Sequence, residues 1–134
     1  MELNGETLRF IREHCKDDVR SLALQAPKYP GVDMPVALTQ IAGRQAAAEK
    51  IPSWHEEEGV LYPRHLSLEQ CSSEATARYK ASIIPESSSG TLTDLTGGFG
   101  IDCAFLSPKF HHVTYVERQE VLCEIASHNF PLLG

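Results

Sequence analysis

The chain has 134 residues, 42% hydrophobic and 22% charged, a balance that fits one compact domain, or a small domain plus part of another, and excludes a disordered chain. Twelve basic and 18 acidic side chains leave a formal charge of −6, which sharpens from −2 over residues 1–67 to −4 over 68–134. Phosphate binding needs clustered cations, so the balance argues against a surface built mainly to hold nucleic acid. No stretch reaches the roughly 18 apolar residues of a membrane helix. The start, Met1-Glu2-Leu3-Asn4-Gly5-Glu6, lacks the basic and apolar regions of a signal peptide, and a cytoplasmic location away from membranes is expected.

Along the first part of the chain the apolar period is helical. Leu8, Ile11, Cys15, Val19 and Leu22 recur in steps of three and four, which predicts one amphipathic helix over 7–24, ended by the Pro27 and Pro30 region. Asp33 is placed to cap a second helix running to Lys50, with Val36, Ala37, Ile41 and Ala48 inward and Pro35 in the first turn. Ser53 and Glu56 have capping-box spacing for a short third helix, on which Glu56, Glu57 and Glu58 read as a solvated face. Val60-Leu61-Tyr62 reads as a short extended piece before Pro63. Ser67 and Gln70 repeat the box, with Leu66 as the staple residue, ahead of a long fourth helix from Leu68 to about Ile84. There is no internal repeat.

At Pro85-Glu86-Ser87-Ser88-Ser89-Gly90 the composition breaks, which divides the chain into a helical domain, 1–86, and a second unit, 87–134. The second unit reads as α/β. A strand over Thr91–Leu95 leads into the glycine-rich turn Thr96-Gly97-Gly98-Phe99-Gly100, and a short helix runs from Ile101 to Ser107. A second strand, His112–Val116, ends at Glu117, and a helix follows over Gln119–Asn129 with Val121, Leu122, Ile125 and Ala126 on its inner face. Strand–turn–helix–strand–helix opens a doubly wound parallel sheet. Asp94 and Glu117 then stand at the carboxyl ends of adjacent parallel strands, where ligands bind in such sheets. Glycines let a ligand approach the backbone, and carboxylate oxygens suit the two hydroxyl donors of a ribose. The combination points to an adenosine-type cofactor.

Cys15, Cys71, Cys103 and Cys123 form no CxxC pair and read as reduced, mostly buried thiols. The histidines show no HExxH spacing, and no metal site is expected. The dinucleotide fingerprint GxGxxG needs a glycine where Cys103 stands and leaves Asp94 without a role.

Asp94-Leu95-Thr96-Gly97-Gly98-Phe99-Gly100, with Glu117 falling 17 residues after Gly100, resembles the first motifs of class I, Rossmann-like S-adenosylmethionine-dependent methyltransferases. The stretch from Asp94 to Asn129 is similar to bacterial ribosomal RNA guanine methyltransferases. Leu68-Glu69-Gln70 with Thr76-Ala77-Arg78-Tyr79-Lys80 resembles a bacterial methyltransferase family that carries a THUMP-like C-terminal domain. The resemblance implies S-adenosylmethionine as cofactor and RNA as methyl acceptor. It places Thr96, Gly97, Gly98, Phe99 and Gly100 in the loop beside the methionine part of the cofactor, Asp94 at its amino group and Glu117 at the ribose. Arg78 and Lys80 fall where related enzymes hold a segment near the methionine carboxylate, and Lys80 is carried as a cofactor-binding candidate. Asp102 is a candidate cap of the helix after the loop.

The commonest form of the family's motif has Gly where Thr96 stands, and the family's sheet has about seven strands, of which two are read here. The expectation is therefore an N-terminal portion of a longer enzyme, a helical module followed by the first β-α-β-α units of a truncated Rossmann-like domain. On that reading the catalytic and RNA-binding residues lie beyond Gly134, and the fragment alone transfers no methyl group. Its open strand edges would pack on the N-terminal helices or pair between two copies as a homodimer. Asn129-Phe130-Pro131-Leu132 resembles the Asn-Pro-Pro-aromatic substrate motif of such enzymes but follows a helix and lacks the second proline, so it is read as a decoy. Two other readings stay open, a dinucleotide-dependent oxidoreductase fragment and a non-catalytic helical interaction module.

Overall fold

The computed structural model describes residues 3–85 and 90–134. Helices α1 (Gly5–Glu13), α2 (Val19–Leu24), α3 (Met34–Lys50), α4 (Pro52–His55), α5 (His65–Gln70) and α6 (Glu74–Ser82) come first. Strand β1 (Thr91–Asp94), helix α7 (Ile101–Leu106), strand β2 (His112–Tyr115) and helix α8 (Glu120–Leu133) follow. The chain is mixed α/β. As the sequence order predicts, β1 and β2 pair in parallel, with Leu92 opposite Val113 and Asp94 opposite Tyr115. The expected linker over residues 86–89, with the boundary at 86/87, lies outside the described residues.

Three expected helices are corrected. The single helix over 7–24 is two, because Asp18 starts a new one by accepting Ser21 N–H at 3.1 Å. The break frees the carbonyls of Cys15 and Asp17, and both accept from Gln45 Nε2 on α3, at 3.1 and 2.7 Å. Ile11 and Leu22 face the core as expected, but Phe10 replaces Leu8, which is 40% exposed. The single helix over 68–84 is likewise α5 and α6. The Lys50 ammonium on α3 takes the freed carbonyls of Leu68 and Glu69 at 2.7 and 2.9 Å, and Ser73 caps α6 by accepting Thr76 N–H. The Ser67–Gln70 box does not form: Ser67 lies inside α5, and Leu66 is exposed instead of stapling.

Helix α4 starts at Pro52, so the Ser53–Glu56 box is absent as well. Ser53 N–H instead donates to Glu74 Oε1 on α6 at 2.8 Å, while Glu74 Oε2 accepts from Arg78 Nε at 2.8 Å. Burial by itself would raise the Glu74 carboxyl. The Ser53 and Arg78 donors outweigh it and hold the group below the usual carboxylate range. A depressed folded-state value means that the stability Glu74 contributes is present above the unfolded-chain value, about 4.3. It is lost as pH falls below that and through the folded value. Urea midpoints measured downward from pH 6 are expected to fall less steeply in Glu74→Gln than in the unaltered chain.

Two groups of buried side chains make the interior. Phe10, Ile11, Leu22, Met34, Ala37 and Ile41 join α1, α2 and α3. Ala47, Ile51, Trp54, Tyr62, Leu68 and Ala77 from the first part pack with Phe99, Ile101 and Ile125 from the second. Ala48, expected inward, is exposed, and Gln40 is buried in its place at 2% exposure.

Gln40 explains the segment Val60–Tyr62, which pairs with no strand among the described residues. Tyr62 N–H donates to Gln40 Oε1 at 2.8 Å and Gln40 Nε2 to Tyr62 C=O at 2.9 Å. One residue earlier, Asn129 on α8 makes the same reciprocal pair with Leu61, both bonds 2.8 Å. Two carboxamides thus replace two neighbouring strands for a buried backbone that needs its donors and acceptors met. Helix α8 runs past the expected end at Asn129, through Pro131. The carbonyl that Pro131 cannot serve belongs to Ser127, and both residues are exposed, so solvent can satisfy it. Leu122, Ile125 and Ala126 face inward as expected, whereas Val121 is 55% exposed.

Candidate functional site

The β ladder continues past the ends of its strands. Val116 N–H donates to Asp94 C=O, and Gly97 N–H donates back to Val116 C=O, each at 2.8 Å. This draws the glycine turn across the end of β2 and sets Gly98 beside Glu117. Gly100 N–H closes the turn on Gly97 C=O at 2.9 Å, and Gly100 C=O accepts Ala104 N–H to start α7. Gly98 and Gly100 have φ of +55° and +93°, the left-handed region in which a side chain is strained.

Both strand-end carboxylates are engaged by backbone amides. Glu117 Oε1 accepts Gly98 N–H at 3.0 Å and Oε2 accepts Gln119 N–H at 2.7 Å, so one carboxylate ties the loop to the start of α8. The Gln119 amide, and after it those of Gly98 and Arg118, hold the Glu117 carboxyl below the usual range. The side chain is therefore an anion at neutral pH, with lone pairs left to accept further donors. Asp94 Oδ1 accepts Thr96 N–H at 3.1 Å, an Asx-type turn that starts the loop.

Seven of the eight candidates, Asp94, Thr96, Gly97, Gly98, Phe99, Gly100 and Glu117, therefore lie together in the loop at the carboxyl ends of β1 and β2. Phe99 differs in kind. Its ring is 2% exposed and packs against Trp54 and Tyr62, with centroids 5.1 and 5.8 Å away, so it anchors the loop to the helical part and offers a ligand only its main chain. Lys80 stands on α6, where its ammonium bonds Asp102 Oδ2 at 3.0 Å and Ser72 Oγ at 3.1 Å. Asp102, the expected helix cap, does not cap α7, whose N-cap is Gly100; it joins the first turn of α7 to α6, and its buried Oδ1 has no hydrogen-bond partner among the described residues.

Tyr115 was not singled out by the sequence, and Phe130 entered only as part of the Asn129–Leu132 stretch. The Tyr115 hydroxyl donates to Gly98 C=O at 2.6 Å, and its ring lies where a Cβ at Gly97 would stand. Phe130 meets that ring edge-on at 5.5 Å and lies 2.7 Å from where a Cβ at Gly100 would be. The only advance sign was the strand period of two, which puts residue 115 on the same face as Glu117. Above Gly98 the space is open: the nearest atom to a Cβ there is Thr96 C=O at 3.8 Å. A cleft of about 250 Å³ lies elsewhere, between Cys103 and Ala104 of α7, Val113 and Tyr115 of β2, and Phe130 of α8.

A solved structure described as the "Crystal structure of putative methyltransferase from Porphyromonas gingivalis W83" matches this chain with a TM-score of 0.76 and 31% sequence identity. The match covers 95% of this chain and 31% of that one. The two are similar in sequence and in fold. The chain thus spans about a third of the length of the protein it matches, and both the helical part and the β-α-β-α part fall within the match. No protein-family model and no curated protein matches the sequence. Among the described residues no helix is long and apolar enough to cross a membrane, and no three His, Cys, Asp or Glu side chains are grouped to hold a metal ion.

Proposed function

We propose that the chain forms the S-adenosylmethionine-binding part of a class I, Rossmann-like methyltransferase that acts on RNA bases in the cytoplasm, in the manner of the family with a THUMP-like C-terminal domain. The observation that carries the cofactor reading is the Glu117 carboxylate lying 3.0 Å from Gly98 N–H, at the mouth of a glycine loop between parallel strands. The likeness to the Porphyromonas gingivalis protein supports the methyltransferase reading. RNA as acceptor rests on the family resemblance, and with four basic side chains over residues 68–134 the acceptor contacts are assigned to residues outside this stretch.

The residues present fit the cofactor. The backbone at Gly98 is open to a ligand, and Glu117 keeps acceptor capacity for the two ribose hydroxyls. In this reading Asp94 meets the cofactor's amino group, directly or through water, and Lys80 serves the methionine carboxylate end from α6. The sulfonium of the bound cofactor makes its methyl group electrophilic, so the protein mainly aligns donor and acceptor. No residue of this chain is assigned as a catalytic base.

Calorimetry with S-adenosylhomocysteine tests the assignment. Glu117→Ala is expected to weaken binding by about 1.5–3 kcal/mol, the loss of charge-assisted hydrogen bonds. Glu117→Gln, which keeps an acceptor for Gly98 N–H, separates ribose contact from loop support. Unchanged affinity in both variants removes Glu117 from the site. Tighter binding of a dinucleotide than of S-adenosylhomocysteine favours the oxidoreductase reading instead.

A further inference from the structure

We propose that Tyr115 is a positioning residue for the cofactor loop, its hydroxyl fixing the orientation of the peptide that follows Gly98. Residues 115 and 117 alternate along β2 and its continuation, so their side chains rise on one face of the sheet. From that face they take both polar backbone groups of Gly98. The Tyr115 hydroxyl donates to Gly98 C=O at 2.6 Å, and Glu117 Oε1 accepts Gly98 N–H at 3.0 Å.

Packing around this position is loose: apart from its chain neighbours, the nearest described atom to a Cβ built on Gly98 is the Thr96 carbonyl oxygen at 3.8 Å. Two side-chain hydrogen bonds hold it. A trans peptide is planar, so with its carbonyl turned onto Tyr115 the N–H of Phe99 points to the opposite side. The anchor thus decides which edge of the loop a ligand meets. Burial raises the Tyr115 phenol, which therefore stays protonated and able to donate at any ordinary pH. The ring is itself located by Phe130, edge-on at 5.5 Å, and the hydroxyl also lies 3.4 Å from Leu122 C=O.

The effect on affinity rests on the cofactor reading; the anchor itself does not. Tyr115→Phe keeps the ring beneath Gly97 and removes the hydroxyl. The variant is expected to keep its helical signal and lose only a few degrees of melting point, to shift the Gly98 amide and carbonyl resonances in NMR spectra, and to bind S-adenosylhomocysteine about tenfold more weakly, the scale of one neutral hydrogen bond. Unmoved Gly98 resonances overturn the anchor whether or not any ligand binds. Moved resonances with undiminished affinity overturn its role toward the cofactor. If the unaltered protein binds no S-adenosylhomocysteine, the cofactor reading fails, and with it that role. Should Tyr115→Phe unfold, the unaltered protein decides: a slowly exchanging Tyr115 hydroxyl proton with a cross-peak to Gly98 supports the anchor, and its absence overturns it.

Discussion

Asn129→Leu, which keeps the branched heavy-atom outline in a somewhat larger side chain, is expected to destabilise the chain by about 2–4 kcal/mol. Asn129 is fully buried and meets Leu61 in both directions, its Oδ1 accepting Leu61 N–H and its Nδ2 donating to Leu61 C=O. Leucine has the same branched outline, is somewhat larger and offers neither polar atom, so a donor and an acceptor of the main chain are left in an apolar interior. That is the costly half of any hydrogen-bond deletion, because the stranded groups have lost water without gaining a partner. With a urea slope of about 2 kcal/mol per molar, the midpoint should fall by roughly 1–2 M. A shift within error would mean that water or a backbone adjustment meets Leu61. Within the Asn129–Leu132 stretch, the first side chain therefore has a structural role, buried against Leu61.

Gly97→Val is expected to abolish binding of S-adenosylhomocysteine and to cost about 3 kcal/mol of stability, through overpacking. Any Cβ at Gly97 enters the Tyr115 ring, and that ring cannot swing aside without breaking its hydroxyl bond to Gly98 C=O. Gly98 behaves differently. From the sequence, a side chain there would meet both the ligand and the following helix. The structure corrects this, since no helix atom is close and the space is open. Gly98→Ala should therefore cost only the left-handed backbone penalty, about 1–2 kcal/mol. Gly98→Val should lose affinity for the ligand out of proportion to its loss of stability. Measuring stability and affinity together on the three variants separates packing under the loop from contact above it. If Gly97→Val folds and binds normally, Tyr115 is free to move and the loop is not built on it.

The α/β order, the parallel pairing and the acid–glycine–acid arrangement were legible in the sequence because each is written in neighbouring residues. Alternation of apolar side chains marks a strand, a run of glycines marks a turn, and the last residue of a strand stands at its carboxyl end wherever the strand lies. The helix from the Asp33 cap to Lys50 was legible too; the tertiary structure decided how the backbone freed at the breaks in 7–24 and 68–84 is satisfied and which side chains build the loop. The carbonyls of Cys15 and Asp17, freed where Asp18 starts α2, are met by Gln45, 30 and 28 residues away. Lys50 does the same for Leu68 and Glu69 across 18 and 19 residues, and Ser53 finds its acceptor on Glu74, 21 residues on. A capping box read along the chain assumes that the acceptor is local, and here it is not. Tyr115 reaches Gly98 across 17 residues and Asn129 reaches Leu61 across 68. A freed backbone group must be satisfied somewhere, but local sequence specifies only that requirement; the partner is chosen by which element the fold brings alongside.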